Sequence, residues 1–322
     1  MTQVGCAGIL VSDTFCGPMK ELPREGQLLA LDAMPTKAGG CAANVAIDLT
    51  KQGIFVEVAG CLGNDSSARV LLASLEESNV GASHIVYSPE LPTSKTVILL
   101  VAGQDRRYIH SFGANAAFTV GHIDRDWVRG LQIFYLGGLF LMPAFQPEEL
   151  LDLLRFCRGN GVTTVVDVVI PQNATIPGDR LALGPLLSAI DYFLPNEDEA
   201  QLMTGLSDPL EQLRTFNRWG ANTVVITCGR KGAIAGKGQE FWQTGIYPIS
   251  NAVDPSGCGD AFAAGLVTGI VKGWDMPAMI QYASALGASA IRALGTTDGV
   301  FTASQAEEFI KTNRLEIHTG KL

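Results

Sequence analysis

Short β-branched runs that read as apolar throughout, such as VTTVVDVV at 162–169 and NTVVIT at 222–227, alternate along the chain with longer stretches of helical period. A strand wetted on one face carries a polar residue at every second position, so a strand without that alternation is covered on both faces. Strand then helix, repeated, is the pattern of a parallel sheet enclosed between two helical layers, an α/β fold. The pattern predicts strands over 5–10, 55–60, 133–137, 163–169, 192–195, 223–227 and 233–235. Helices are predicted over 42–51, 66–78, 147–160, 197–204, 210–219, 257–272, 277–294 and 303–312.

Two segments break the rhythm. Residues 11–36 show no helical period, and residues 93–112 read as a hairpin, with strands at 96–101 and 107–112 around the turn Ala102-Gly103-Gln104-Asp105. Such β segments have no place in the enclosed layer and are expected to form a small β lid projecting from it. An apolar lid face could be buried by a second copy, so a homodimer through the lid is expected. At 322 residues, with neither a repeat nor a linker-like stretch, the chain reads as one domain over 1–322.

Composition excludes several classes. Hydrophobic residues at 47% and charged ones at 17% are far from a disordered chain, and 23 basic against 32 acidic residues leave no footprint for a polynucleotide. The longest uncharged apolar stretch, 130–147, holds three glycines, two prolines and two glutamines, and reads as a buried strand followed by a loop rather than a membrane span. The N-terminus has no basic region before its first strand pattern, so no signal peptide is expected. Seven cysteines without a CxxC pair point to reduced thiols and a cytoplasmic setting.

The chemistry-bearing motifs follow predicted strands. There is no GxGxxG, GxxxxGK[ST] or GxSxG. The strongest local signal is NAVDPSGCGDAF at 251–262, which opens the small-residue helix AFAAGLVTGIV. Gly257 and Gly259 allow a tight turn, successive N–H groups at a helix start hold an anion, and Asp260 in that first turn is either a cap or a proton acceptor aimed at the anion. AGGCAANVA at 38–46 opens another helix, with Gly39 and Gly40 allowing close approach of a ligand and Asn44 one turn inside. LPNEDE at 194–199 and TCGRKG at 227–232 come after two further strands. Ligands of open parallel sheets collect at the carboxyl ends of strands, so these four elements are expected to share one crevice.

Taken together, GGCAANVA, NEDE, TCGRKG and DPSGCGDAF resemble the ribokinase-like (PfkB) family of carbohydrate kinases, in the family's order and over nearly the whole chain. The resemblance implies a three-layer α/β/α sandwich with a mostly parallel sheet and a small β lid. It implies ATP and Mg²⁺ as cofactors, and transfer of the γ-phosphoryl group to a hydroxymethyl group of a small sugar. Asp260 then matches the general base, and Gly257, Cys258 and Gly259 the anion hole. Asp13, Gly39, Gly40 and Asn44 match sugar-binding positions, while Gly138 stands where ribokinases carry a sugar-binding Glu. Asn196 and Glu199 match an NxxE motif that orders Mg²⁺ through water, and Thr227, Gly229 and Gly232 match the loop beside ATP. Asp254 and Ser256 fall where many members hold a monovalent cation such as K⁺.

Departures narrow these expectations. Pro255, Ser256 and Cys258 replace three positions of the usual DTTGAGD, and Cys41 stands where ribokinases carry Lys, so ribose is not assumed. The DPSGCGDAF form and the GTTDG segment at 295–299 are similar to nucleoside-phosphorylating members, which keeps a nucleoside kinase as the alternative; a non-catalytic sugar-binding regulator is the alternative of another class. Arg106 and Arg107 on the predicted hairpin could reach substrate or phosphate. The helix dipole is expected to lower the pKa of Cys258 and make it reactive. No histidine shows metal-ligand spacing.

Overall fold

The computed structural model describes residues 4–171, 180–250 and 252–322, with 180–182 by backbone alone. Its strands form two sheets. The large one contains β1 (Val4–Gly8), β4 (Val56–Gly63), β5 (Gly81–Ser88), β8 (Ile133–Leu139), β9 (Thr163–Val168), β10 (Tyr192–Leu194), β11 (Thr223–Thr227), β12 (Ala233–Lys237), β13 (Glu240–Thr244) and β14 (Ile317–Lys321). The small one contains β2 (Val11–Met19), β3 (Thr36–Gly39), β6 (Lys95–Val101) and β7 (Arg107–Ser111). Helices are α1 (Cys41–Lys51), α2 (Ser66–Glu77), α3 (Arg125–Arg129), α4 (Pro147–Gly159), α5 (Arg180–Leu187), α6 (Glu197–Thr204), α7 (Pro209–Arg218), α8 (Cys258–Val271), α9 (Met276–Ala290) and α10 (Ala303–Thr312).

The large sheet runs β14-β13-β12-β11-β10-β9-β8-β1-β4-β5. From β11 to β5 every neighbouring pair is parallel, and β12, β13 and β14 add an antiparallel edge. Successive side chains of the central strands go to opposite layers. Phe134 and Leu136 of β8, Val166 and Val168 of β9, and Val224 and Ile226 of β11 pack with α4 to α7. Ile133, Tyr135, Val165 and Val225 pack with α1, α2, α8 and α9. The expected three layers are therefore present, and it is burial on both faces that made these strands read as unbroken apolar runs.

The small-residue stretch of α8 is explained by its neighbour. A Cβ on Gly265 would lie 2.5 Å from the Cα of Ala283, and one on Gly269 would lie 2.5 Å from the Met279 side chain. Glycine at both positions lets α8 lie directly against α9. The expected helix over 277–294 ends at Ala290, because the chain then turns back: Val253 N–H donates to Ile291 O at 2.7 Å, and Gly295 N–H to Asp254 Oδ2 at 3.1 Å. Strands β5, β13 and β14, and helices α3 and α5, add to the sequence pattern.

The small sheet is built from the two segments that broke the rhythm, in the order β3-β2-β6-β7, with the expected turn at 102–105 between β6 and β7. One face is buried, with Phe15 and Ile98 essentially inaccessible. The other carries Ile109 paired across from Val97, and beside it the 20–35 loop exposes Leu28 and Met34. Among the described residues no helix is long and apolar enough to cross a membrane, and all seven cysteines are free thiols.

Candidate active site

The N-terminus of α8 is shaped by one glycine. Gly257 has φ +78°, and a Cβ there would lie 1.9 Å from the carbonyl oxygen of Thr296, so the turn closes only with glycine at this position. It gives α8 no side-chain cap, leaving first-turn N–H groups without a helical partner and open to an anion. Asn251, the first residue of the motif, lies outside the described residues.

Asp260, in that first turn, is part-exposed and accepts a 2.7 Å hydrogen bond from Asn44 Nδ2. The amide is oriented from behind, since Thr296 Oγ1 donates to Asn44 Oδ1 at 2.8 Å. This link joins the helix starts of GGCAAN and DPSGCGD. Cys41 Sγ and carboxylate oxygens of Asp167 and Asp260 all lie within 4.8 Å of one another, and Tyr135 Oη donates to Asp167 Oδ2 at 3.3 Å. Asp13 lies on the other side of the GG pair: a Cβ on Gly39 would meet its Oδ2 at 1.9 Å. Gly40 takes φ +88° as the cap of α1, under the carbonyl of Ile9. Gly138, at φ +81°, closes on the Ile9 side chain, so its lack of a side chain is accounted for by packing.

The charges of this group oppose one another. Burial raises the Asp13 carboxyl to about 7, the Thr96 hydrogen bond lowers it in part, and the Asp260 charge adds to the rise. Burial also raises Asp260, against the Asn44 amide, the Cys41 thiol and the Arg106 guanidinium. Asp167 is held well above the usual carboxylate range by burial and by the charges of Asp260 and Glu199. Arg106, on the turn after β6, acts on Cys258 as well as on Asp260. Burial pushes the Cys258 thiol up to about 11, with Arg106 only partly offsetting it, so the expected activation by the helix dipole is reversed.

A second group lies at the ends of β10 and β11. Asn196 Oδ1 accepts Glu199 N–H at 2.9 Å and Glu199 Oε2 accepts Asn196 N–H at 2.8 Å, a reciprocal cap on α6. Burial raises Glu199 to about 7, against N–H donors from Asn196 and Ile170. Thr227 bridges to Asn196, and the loop turns through Gly229 to Gly232, where a Cβ would lie 2.0 Å from Thr244 O. Glu199 acts on Asp167, which places the two groups side by side along the carboxyl ends of β8 to β11.

Asp254 is wholly buried. Its Oδ1 accepts Ser256 N–H and Oγ–H at 3.0 and 2.8 Å, and its Oδ2 accepts Gly295 N–H. The carboxylate therefore clasps the two loops that shape the anion site. Asp167 is a candidate site residue that the sequence motifs do not name, and Thr296 lies in the GTTDG segment, which assigns it no role; the signal for Asp167 is a lone carboxylate at the carboxyl end of an otherwise apolar strand.

Comparison with known proteins gives the family and the fold. A family model described as pfkB family carbohydrate kinase matches residues 1–303. A 5-dehydro-2-deoxygluconokinase of Geobacillus kaustophilus is 24% identical, over 86% of this chain and 85% of its own. A ribokinase of Haemophilus influenzae is 26% identical, over 85% and 87%. The structure of Arabidopsis thaliana ribokinase with ribose and ATP superposes with a TM-score of 0.83, at 23% identity, covering 97% of this chain and 99% of that one.

Proposed function

Because the chain belongs to the pfkB family of carbohydrate kinases, we propose that it transfers the γ-phosphoryl group of ATP to a hydroxymethyl group of a small sugar. Asp260 takes the hydroxyl proton, and the backbone of Gly257, Cys258 and Gly259 holds the transferring phosphoryl. The observation that carries this assignment is the Asn44–Asp260 hydrogen bond, which fixes a carboxylate between the start of α1 and the uncapped start of α8. Phosphoryl transfer is mostly positioning and charge stabilisation, and both are supplied here by backbone N–H groups and a fixed carboxylate.

Asp13, Gly39, Gly40 and Asn44 form the proposed sugar side, and Asn196, Glu199, Thr227, Gly229 and Gly232 the nucleotide side. Mg²⁺ bound with ATP supplies neutralisation of the phosphate charge. Glu199 fits a role through water, since its carboxylate already accepts two backbone N–H groups. Asp254 is similarly engaged by its own loops, so activation of more than twofold by KCl over tetramethylammonium chloride is the result that gives K⁺ a place at Asp254 and Ser256. The small sheet serves as the lid. Its exposed face, with Ile109 at 62% exposure, and the neighbouring loop, with Met34 at 59%, support burial against a second copy, which sedimentation of the wild type and Ile109→Asp tests.

Asp260→Asn tests the central assignment. Turnover is expected to fall by about 10²–10⁴-fold, the usual weight of a general base, with ATP binding retained. Near-normal turnover sinks the base assignment. Running pentoses, hexoses and nucleosides as acceptors decides between the sugar and nucleoside kinase readings.

A further inference from the structure

We infer that the acceptor site takes an uncharged polyhydroxy molecule and turns away sugar acids and sugar phosphates, with Asp167 as a specificity-determining residue. This rests on the kinase reading above. Any acceptor must bring a hydroxyl oxygen to Asp260, and Asp167 and Cys41 already lie within 4.8 Å of that carboxylate. Asp13 lies against Gly39, two residues before Cys41, close enough for the Asp260 charge to act on it. Three carboxyl groups thus lie near the place the acceptor hydroxyl must reach. Burial raises all three, so they ionise later than ordinary carboxyls, and in the ionised form they only accept hydrogen bonds. Of the polar amide groups of Asn44, one N–H is held by Asp260 and the oxygen by Thr296.

Such a wall asks its ligand for donors. A polyol brings several O–H donors, whereas a carboxylate or phosphate group brings acceptors alone and a charge of the same sign. The two nearest lysines among the described residues are engaged elsewhere. Lys37 Nζ donates to Asp298 Oδ1 at 2.7 Å and to Leu294 O at 2.8 Å, and Lys51 Nζ to Asp48 and to Thr297 O. Arg106 is the one of these cations that acts on Asp260, and on Cys258 beside it, from the turn after β6. The positive end of α1 faces these same carboxylates through Cys41 and Asn44. Asp167 has no part in the proposed transfer, yet it is part-exposed at the end of β9, held by Tyr135 and beside Cys41.

The test uses matched acceptor pairs at pH 8, each with a free hydroxymethyl group: glucose with gluconate, ribose with ribonate, and fructose with fructose 6-phosphate. The readouts are kcat/KM for each member and thermal shift with a non-hydrolysable ATP analogue. The neutral member of any pair that is turned over is expected to exceed its anionic partner by about 100-fold, a ratio that shrinks as salt rises from 20 to 300 mM, by screening. Asp167→Asn is expected to narrow the ratio at least about fivefold; a merely structural loss lowers both members and leaves the ratio unchanged. An anionic member used as well as its neutral partner, or a ratio indifferent to both salt and Asp167→Asn, overturns the inference while the kinase stands. No phosphorylated product from any pair or from the nucleosides, despite a shift with the ATP analogue, overturns the kinase reading and this inference with it.

Discussion

Asp13→Asn gives the sharpest test of the site's electrostatics, because the change is isosteric and the structure fixes its sign. The carboxyl moves from an ordinary 3.8 to about 7 on folding and is only 6% exposed. Folding therefore favours its neutral form. Well below pH 3.8 both states are protonated and the group costs nothing. As pH rises the unfolded chain ionises first, so the folded state loses stability steadily until about pH 7, and the loss is constant above that. Between pH 5 and pH 8 the linkage integral for this shift comes to about 2–3 kcal/mol. For a chain of this size that is a melting difference of about 3–4 °C. Wild-type protein without ligands and Asp13→Asn are melted at pH 5, 6, 7 and 8. The variant, having no charge to bury, is expected to gain about 2–3 kcal/mol relative to wild type between pH 5 and pH 8, while losing most of its turnover. Glu199 shifts in the same window but is common to both proteins and drops out of the difference. A difference between variant and wild type that does not grow with pH refutes the claim that Asp13 is held as a buried, high-pKa carboxyl.

Three further outcomes are expected. Gly257→Ala puts a Cβ 1.9 Å from the Thr296 carbonyl and forces an L side chain to φ +78°, so kcat should fall at least about 100-fold, comparable to losing an oxyanion donor, with circular dichroism checking that the fold survives. Thr296→Val removes the hydroxyl that orients Asn44 and should lower kcat about tenfold with little change in the KM for ATP; an unchanged kcat shows that Asn44 needs no such support. Cys258, with its thiol pushed up to about 11, should react with iodoacetamide at pH 7.5 at least about tenfold more slowly than a free cysteine peptide, followed by mass mapping; a rate matching the peptide refutes the raised pKa, and a faster one restores activation by the helix dipole.

How much of this was legible in the sequence follows from where each signal comes from. The central strands announce themselves because two helical layers strip them of alternation. The edges do not: Glu240-Phe-Trp-Gln-Thr244 and Ile317-His-Thr-Gly-Lys321 mix polar and apolar residues as partly exposed strands do, and only pairing with each other and β12 makes them a sheet. Likewise Gly257 and Gly40 are readable because a left-handed turn is a local demand that the residue itself satisfies. Thr296 is not, since its partner Asn44 lies 252 residues away and nothing in either neighbourhood points to the other.

The two misjudged groups show why charge is harder to read than shape. For Cys258, a helix start lowers a thiol pKa and burial raises it; the sequence displays the helix start but not the burial, so only one of two opposing effects could be weighed. For Asp167 the strand pattern itself concealed the residue. One carboxylate among valines does not disturb an apolar run, yet in a parallel sheet it matters at which end of the strand it stands. Asp167 is the next-to-last residue of β9, and position 41, where the departure from Lys was visible, is the residue it meets. Cys41 there leaves Asp167 and Asp260 facing each other across a thiol. Residue 41 and the lone carboxylate lie far apart in the sequence, and only the folded chain brings them together.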